Sequence, residues 1–409
     1  MPASAIISIG NELLLGKTLN TNMAWLAGEL AMLGVPVEFS LTVKDEAEAI
    51  GNALAQCWPK YDLVITTGGL GPTDDDITKQ EIARFFGAEL VFDPAVWEHV
   101  QALFAARNLS TPQINRNQAM VPQGFSALRN DRGTAPGLAF SSEGKCFFAF
   151  AGVPLEMRYV FDTQARPIIR DRFGIKGSIT QKTLHTHGIS ESALAELLAG
   201  IALPEGVNRA WLPQTGRVDL RFYGNDPNAI DSCIEQSLPL ISKYVWGRDE
   251  DTPVSVLSAL LKARGLTFSA AESCTGGLVQ KMITDPPGAS DVFAGGVVAY
   301  ANQVKLVLLK VHPETLAKYG AVSEECAREM ALGIKILTNS ATAISVTGVA
   351  GPDGGTELKP VGTVCFGFSC LDELSSATQI FSGDRNAIRI KAAEFAILHL
   401  VKLLQGKKI

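Results

Sequence analysis

A chain of 409 residues exceeds what one hydrophobic core ordinarily serves, since single cores stop growing near ~250–300 residues, so two or three domains are expected. A composition 46% hydrophobic and 19% charged excludes a disordered chain, and a formal net charge of −6 argues against nucleic acid as the main partner, whose affinity rests on Lys and Arg neutralising phosphates. Seven cysteines, an odd number without a CxxC pair, speak against a disulfide framework or a zinc site. The opening MPASAIISIGNELL lacks the basic and apolar regions of a signal peptide, and no apolar run reaches the ~18 residues of a membrane span. The expectation is a cytoplasmic protein with no membrane partner.

Read for hydrophobic period and turn residues, the first third alternates strands with helices. SAIISIG (4–10) is a short strand of buried type, Ala24 to Leu33 is helical and stops at Gly34, and VPVEFSLTV (35–43) returns as a strand. Asp45, with Glu48 three residues on, predicts a capping box for a helix through Gln56. DLVITTGG (62–69) is a third strand, a helix follows near 78–86, and Asp93-Pro94 opens another. Such alternation predicts a doubly wound parallel sheet whose ligands sit beyond the strand C-termini. FFAFAGVP (147–154) and a helix over 155–172 close this first α/β domain, 1–172.

Residues 173–250 read as a small α+β middle domain, with strands at 179–185 and 217–223, a helix opening at Ser190 and another over 227–242. The polar GRDEDTPV (247–254) is the linker candidate. Beyond it, helices at 254–264, 276–284, 323–338 and 385–404 and strands at 267–273, 295–300, 342–347 and 361–369 form a C-terminal α/β domain, 251–409.

Chemistry concentrates in two places. In TTGGLGPTDDDIT (66–78) a strand ends, glycines at 68, 69 and 71 let the backbone turn tightly, and three aspartates precede a helix. Such a loop brings N–H groups against a phosphate, and a divalent cation on the carboxylates offsets the repulsion between aspartates and phosphate. An ordinary Gly-rich turn with an acidic helix start has the same wording. Together with GNELLLG…TN (10–22), NQAMVPQG (117–124) and GTAPGL (133–138), this loop resembles the molybdopterin-binding-type domain that opens CinA-family proteins. The resemblance implies a metal-dependent pyrophosphatase for ADP-ribose, using Mg²⁺ or a transition metal. Gly69, Gly71, Asp75, Asp76 and Thr78 would lie at the diphosphate and metal, with Asn11 and Glu12 at the opposite wall. Asn11 stands where related pterin-binding domains often carry aspartate, and AGVP (151–154) where many carry a proline before the glycine.

The second place is AESCTGG (271–277), which offers a thiol, two hydroxyls and a carboxylate beside two glycines. Cys274 as nucleophile would need a histidine, and this half holds only His312, before a proline, and His399, inside an apolar helix. A small buried side chain is the better reading of Cys274. Lysine remains as base. Lys305 follows an apolar strand and the polar stretch 300–302, and once its pKa is depressed it completes a Ser/Lys pair. Ser290, in PGAS, and Ser273, at a strand-to-helix turn, are both candidates for the alcohol.

From Phe268 to Arg385 the chain also resembles the second CinA module, nicotinamide mononucleotide deamidase, through AESCTGG, PGASDVFAGGVVAYANQVK (287–305), GAVSEE (320–325), VTGVAGPDGG (346–355), KPVGTV (359–364) and FSGDR (381–385). The resemblance implies Ser290 as nucleophile and Lys305 as base. Ser273 and Thr275, near the N–H groups of Gly276 and Gly277, would be substrate or oxyanion donors, and Tyr300 would position the proton. Thr347 would line another wall and Arg385 would clamp the 5′-phosphate, with no cofactor required. The whole reading is a bifunctional, homodimeric enzyme of pyridine-nucleotide recycling whose partners are small nucleotides, nicotinamide mononucleotide and ADP-ribose. Its alternatives are a deamidase with an inert N-terminal domain and a pterin- or nucleotide-binding accessory protein.

Overall fold

The computed structural model describes residues 2–175, 179–214 and 216–406, in two compact units, 1–180 and 181–409. In the first, β1 (Ser4–Ile9), β2 (Val37–Val43), β3 (Leu63–Thr67), β6 (Ser126–Leu128), β7 (Gly137–Ser142) and β8 (Lys145–Phe150) form one sheet in the order β2-β1-β3-β8-β7-β6. The short strands β4 (Leu90–Phe92) and β5 (Met120–Pro122) pair separately. Strands β2, β1, β3 and β8 are parallel, whereas β7 and β6 run antiparallel at one edge. The central strands are buried on both faces: Ile6 and Ile65 pack with Leu26 and Leu30, while Ala5, Ile7 and Val64 pack with Ile50 and Leu54. This is the doubly wound α/β class.

Two local expectations need correction. The helix Ala47–Cys57 starts after Glu46 without a side-chain cap; Asp45 instead accepts the Asn11 N–H at 2.9 Å, tying the loop after β1 to the end of β2. The segment expected as one helix over 155–172 is Pro154–Val160 and Arg166–Arg172 joined by a π-helical turn, Phe161–Ala165. Pro167 has no N–H for the normal ladder, and the wider turn accommodates its loss.

The second unit holds two sheets. Strands β9 (Thr180–Thr186), β10 (Val207–Gln214), β11 (Arg217–Gly224) and β12 (Val245–Arg248) lie in the order β10-β11-β9-β12, with helices Glu191–Leu197 and Pro227–Ile241 closing a core of Leu184, Leu220, Phe222 and Ile230. The stretch expected as a linker is a hydrogen-bonded turn. Asp251 accepts the Arg248 N–H at 2.8 Å, and Thr252 with Ser255 forms a capping box on the helix Pro253–Arg264.

Strands β13 (Phe268–Glu272), β14 (Phe293–Val298), β15 (Thr342–Gly348), β16 (Thr363–Cys370) and β17 (Glu373–Ile380) make the other sheet, ordered β14-β13-β15-β16-β17. Alternate residues face opposite layers: Phe268, Ala270, Ile344 and Val346 meet helices Pro253–Arg264 and Arg385–Leu404, whereas Ala271 and Ala343 meet helix Glu324–Thr338 through Met330 and Ile334. Strands β14, β13 and β15 are parallel and in step, with Glu272 opposite both Val298 and Val346. Their three C-terminal ends therefore open at one edge of the sheet. Among the described residues no helix is long and apolar enough to cross a membrane.

Candidate active sites

At that edge the chain leaving β14 turns through Ala299–Ala301 into a short helix, Asn302–Val307, whose last turn carries Lys305. The side chain folds back on its own approach. Its Nζ lies 2.6 Å from the Ala299 carbonyl oxygen, 3.2 Å from that of Tyr300 and 3.1 Å from Ser273 Oγ, and the residue is only 1% exposed. Among the described residues no carboxylate makes an ion pair with it. Carbonyls only accept, so two N–H bonds are fixed by the turn and the third direction of the amine points at a hydroxyl that can either donate or accept. Burial pulls the amine below lysine's ordinary range, and its other close neighbours are the Cys326 and Cys274 thiols. Burial pushes those thiols up to about 11 and about 12, so neither is a ready thiolate at neutral pH.

Ser273 is held where this requires. Its N–H donates to Val346 O at 2.8 Å, continuing the β13–β15 ladder one residue past the strand and fixing the side chain beside Lys305. Ser290 is not brought there. It is exposed on the turn Ala289–Asp291, before the first residue of β14, which pairs with the first residue of β13. The six residues of β14, at about 3.3 Å each, separate its turn from the Lys305 edge by roughly 20 Å. The sequence holds both serines near a glycine turn, and only the parallel register distinguishes which end each occupies.

The N–H groups of the two glycines are not free. Gly276 donates to Ser273 O at 3.1 Å, and Gly277 donates to Glu272 Oε2 at 3.0 Å. The fully buried Glu272 carboxylate also accepts from Val279 at 3.1 Å and Gln280 at 2.9 Å, capping the helix Leu278–Thr284 from the preceding strand. This role of Glu272 has no local spacing signal, because the cap lies before a glycine turn and not at the usual N-cap position. Thr275 is fully buried, its hydroxyl has no hydrogen-bond partner, and its carbonyl accepts from Arg389 at 2.7 Å.

The outer wall is looser. Arg385, the first residue of helix Arg385–Leu404, donates to Gly351 O at 2.6 Å and to Tyr300 Oη at 3.2 Å. Tyr300 is 62% exposed, so the pair stands at the mouth while Lys305 lies beneath. Thr347 is buried, and its hydroxyl donates to Ala321 O at 2.8 Å, which makes it a tie between loops at the same edge.

In the first unit, Ser8, Thr67 and Phe150 stand in step at the ends of β1, β3 and β8, so the loops after these strands converge. A Cβ on Gly69, whose φ is +65°, would lie 2.1 Å from Thr78 Oγ1, and one on Gly71 would lie 2.3 Å from Asp76 Oδ2, so the loop closes only with glycine at both places. Asp76 Oδ2 accepts from the Thr73 N–H at 3.0 Å and its hydroxyl at 2.5 Å, and hydrogen bonding to Thr73 holds the exposed Asp75 carboxyl below its usual range. Thr78 Oγ1 and Asn22 Oδ1 are buried without partners. Asn22 Nδ2 reaches Thr67 Oγ1 at 3.1 Å and Gly152 O at 2.8 Å, across a cleft of about 100 Å³ that Glu12 also lines. Asn11 and Glu12 are exposed on the helical turn Asn11–Leu14. Buried Lys79 donates to Asn117 O, and burial takes its amine down to about 8; nothing in the local spacing marks it. Among the described residues no three His, Cys, Asp or Glu side chains converge as a metal cage. The oxygen donors of Asp75 and Asp76 nevertheless suit a hard cation held by one or two carboxylates and completed by substrate oxygens and water.

The Glu272 cap yields a stability test. Glu272→Ala leaves three N–H groups unpaired, that of Val279 buried and those of Gly277 and Gln280 partly buried, which costs roughly 3 kcal/mol. Thermal unfolding should show the transition of this unit lowered by about 5–10 °C, with Glu272→Gln, which keeps an acceptor oxygen, losing less. An unchanged midpoint in Glu272→Ala would mean the cap contributes nothing.

Comparison with known proteins places these sites in a family. Residues 250–404 match the family described as "CinA C-terminal domain", and residues 5–171 the one described as "Probable molybdopterin binding domain". A CinA-like protein of Cytophaga hutchinsonii is 39% identical over 408 residues, covering 97% of this chain and 96% of its own. One from Chloroherpeton thalassium is 42% identical over 415 residues, covering 98% of each. Among solved structures, the competence damage-inducible protein A of Klebsiella pneumoniae is 34% identical over 38% of this chain and 97% of its own, with a TM-score of 0.37. With both of its end regions matched in order and 97–98% of its length covered by such relatives, the chain belongs to the CinA family.

Proposed function

We propose that the C-terminal site hydrolyses the carboxamide of nicotinamide mononucleotide, with Ser273 as nucleophile and Lys305 as its base. The observation that carries the reading is the buried amine, fixed by two carbonyls and 3.1 Å from Ser273 Oγ. In its neutral form the amine accepts the Ser273 proton while Oγ bonds to the carboxamide carbon. Collapse of the tetrahedral adduct breaks the C–N bond, and the proton on Lys305 leaves with ammonia. Water then attacks the ester, Lys305 takes its proton, and the return of that proton to Ser273 frees nicotinic acid mononucleotide. With the Gly276 and Gly277 N–H groups committed elsewhere, the unpartnered Thr275 hydroxyl is a donor available to the oxyanion. Arg385, at the mouth with Tyr300, has guanidinium N–H groups to spare for the 5′-phosphate.

For the N-terminal site the same reading assigns hydrolysis of the ADP-ribose diphosphate to AMP and ribose 5-phosphate. Asp75 and Asp76 would hold a divalent ion, which when bound neutralises diphosphate charge and lowers the pKa of an attacking water. Gly69 and Gly71 let the loop approach the substrate, and the unpartnered Thr78 and Asn22 oxygens are left to bind it.

Two kinetic experiments test this. Lys305→Met and Ser273→Ala should each lower ammonia release by about 10³-fold, while Ser290→Ala stays within about two-fold, the tolerance of an exposed side chain away from the site. Because burial depresses the amine, the wild-type rate should rise with pH through an apparent pKa below lysine's ordinary 10.5 and then level off. Loss of activity in Ser290→Ala with retention in Ser273→Ala would reverse the assignment. For the other site, Asp75→Asn with Asp76→Asn should abolish ADP-ribose cleavage and leave ammonia release intact. A chelator should do the same, and cleavage that survives chelation contradicts a metal-dependent site.

A further inference from the structure

Away from both candidate sites, the four-stranded sheet of the second unit buries a histidine between two acceptors. His185 of β9 is 9% exposed; its Nε2 lies 2.8 Å from the Asp249 carbonyl oxygen and its Nδ1 3.0 Å from Asp219 Oδ2 of β11. A carbonyl only accepts, so Nε2 carries a proton. An ionised carboxylate also only accepts, so Nδ1 carries one too, since a bare lone pair there would face a negative charge. The ring is therefore an imidazolium, and its Nδ1 contact, which lacks hydrogen-bond geometry, is an ion pair. The indole of Trp246, on β12, stacks on it with centroids 4.9 Å apart, a partner that favours a charged ring. Asp219 is itself 4% exposed, and Arg217 of β11 stands 3.9 Å from its other oxygen and 3.4 Å from Glu394 Oε1 on helix Arg385–Leu404. Two cations thus meet two carboxylates, and loss of the His185 proton leaves one negative charge in excess. The carboxylate of Asp249 is occupied by the Thr183 N–H at 2.8 Å, and His187, two residues on, is kept uncharged at about 4 by burial and by Lys402 and Arg217.

We propose that His185 is a pH-sensitive lock on the segment that leads from the four-stranded sheet into the C-terminal α/β layer. Asp249, with φ +50°, is clipped to β9 at three points: its N–H donates to Thr183 O at 2.9 Å, its carboxylate accepts the Thr183 N–H, and its carbonyl accepts from His185. From there the chain passes through the Asp251 turn and the Thr252 cap into helix Pro253–Arg264, which packs through Leu257 and Leu261 in the core beneath β13. A neutral imidazole keeps one proton and can serve only one of its two acceptors, so deprotonation either sets Nδ1 against Asp219 or releases the Asp249 carbonyl. Burial opposes the charge on the ring, but the Asp219 carboxylate and the Asp249 carbonyl outweigh it and hold His185 above histidine's ordinary range, with Arg217 opposing them. The lock is closed while the ring is charged and opens as pH rises through its midpoint.

The test follows the Cε1 signals of the five histidines by NMR through a pH titration of the full-length protein, with His185→Gln identifying the resonance. That signal should titrate with a midpoint above the ~6.5 of a free imidazole. Asp219→Asn, which keeps the shape and removes the charge, should lower the midpoint by about one unit or more. Stability reports the lock itself. A midpoint raised in the folded state contributes fully below the unfolded value and is lost as pH climbs through the folded one. The melting-temperature advantage of the wild type over His185→Gln should therefore shrink between about pH 6 and about pH 9, by about 3–5 °C per unit of elevation. Glu394, whose carboxyl burial raises, is common to both proteins and cancels. A histidine that only fills space would give a gap constant with pH. Should His185→Gln not fold, the Asp219→Asn titration decides alone, because one histidine midpoint must fall. A His185 midpoint at or below that of free imidazole, midpoints unmoved by Asp219→Asn, or a constant gap would overturn the proposal.

Discussion

The chemistry proposed for the C-terminal site depends on an ammonium group that the fold makes costly to keep charged. Lys305 is sealed under the turn that delivers it, its amine satisfied by the carbonyls of Ala299 and Tyr300 and offered no carboxylate among the described residues. A buried lysine paired with an acid would remain charged and inert as a base. One met only by neutral acceptors and thiols gives up its proton more readily, and the nearest hydroxyl can then lose its own to it. The remaining features of the site serve that arrangement: Glu272 secures the turn after β13, the ladder bond from Ser273 to Val346 sets the proposed nucleophile, and Arg389 and Arg385 hold the surrounding loops.

Both units solve the placement problem in the same way. Parallel strands kept in step deliver loops to one edge, and residues distant in sequence meet there: Asn22, Thr67 and Gly152 in the first unit, and Ser273, Lys305 and Arg385 in the second. The loops themselves differ in kind. The 68–77 loop is drawn tight by glycines and a self-capping Thr73–Asp76 pair and leaves carboxylates outward, whereas the 273–277 turn spends its N–H groups internally and leaves hydroxyls inward. An outward acidic loop suits a cation and a diphosphate, and an inward hydroxyl beside an amine suits acyl transfer.

Much of this was legible from the chain. The alternating strands and helices, the Gly-rich acidic loop, the inert Cys274 and the singling out of Lys305 follow from period, composition and the shortage of histidines. What escaped is what register and burial decide. Ser290 and Ser273 are equivalent in one dimension, and only the in-step pairing of β13 with β14 sends them to opposite ends. Gly276 and Gly277 read as free donors because nothing in AESCTGG announces that its own glutamate turns back to cap the following helix. Asp45 shows the same failure in miniature: its spacing to Glu48 suits a cap, but a backbone N–H from the loop after β1 reaches it first.

The most direct measurement is the titration of the Lys305 side chain itself, followed by NMR in protein carrying ¹³C-labelled lysine, with Lys305→Met identifying the resonance. The account requires one lysine signal, missing from that variant, to change with a midpoint clearly below the ~10.4 of a free side chain. If that signal titrates together with the surface lysines, the amine is an ordinary cation and the proposed base does not exist.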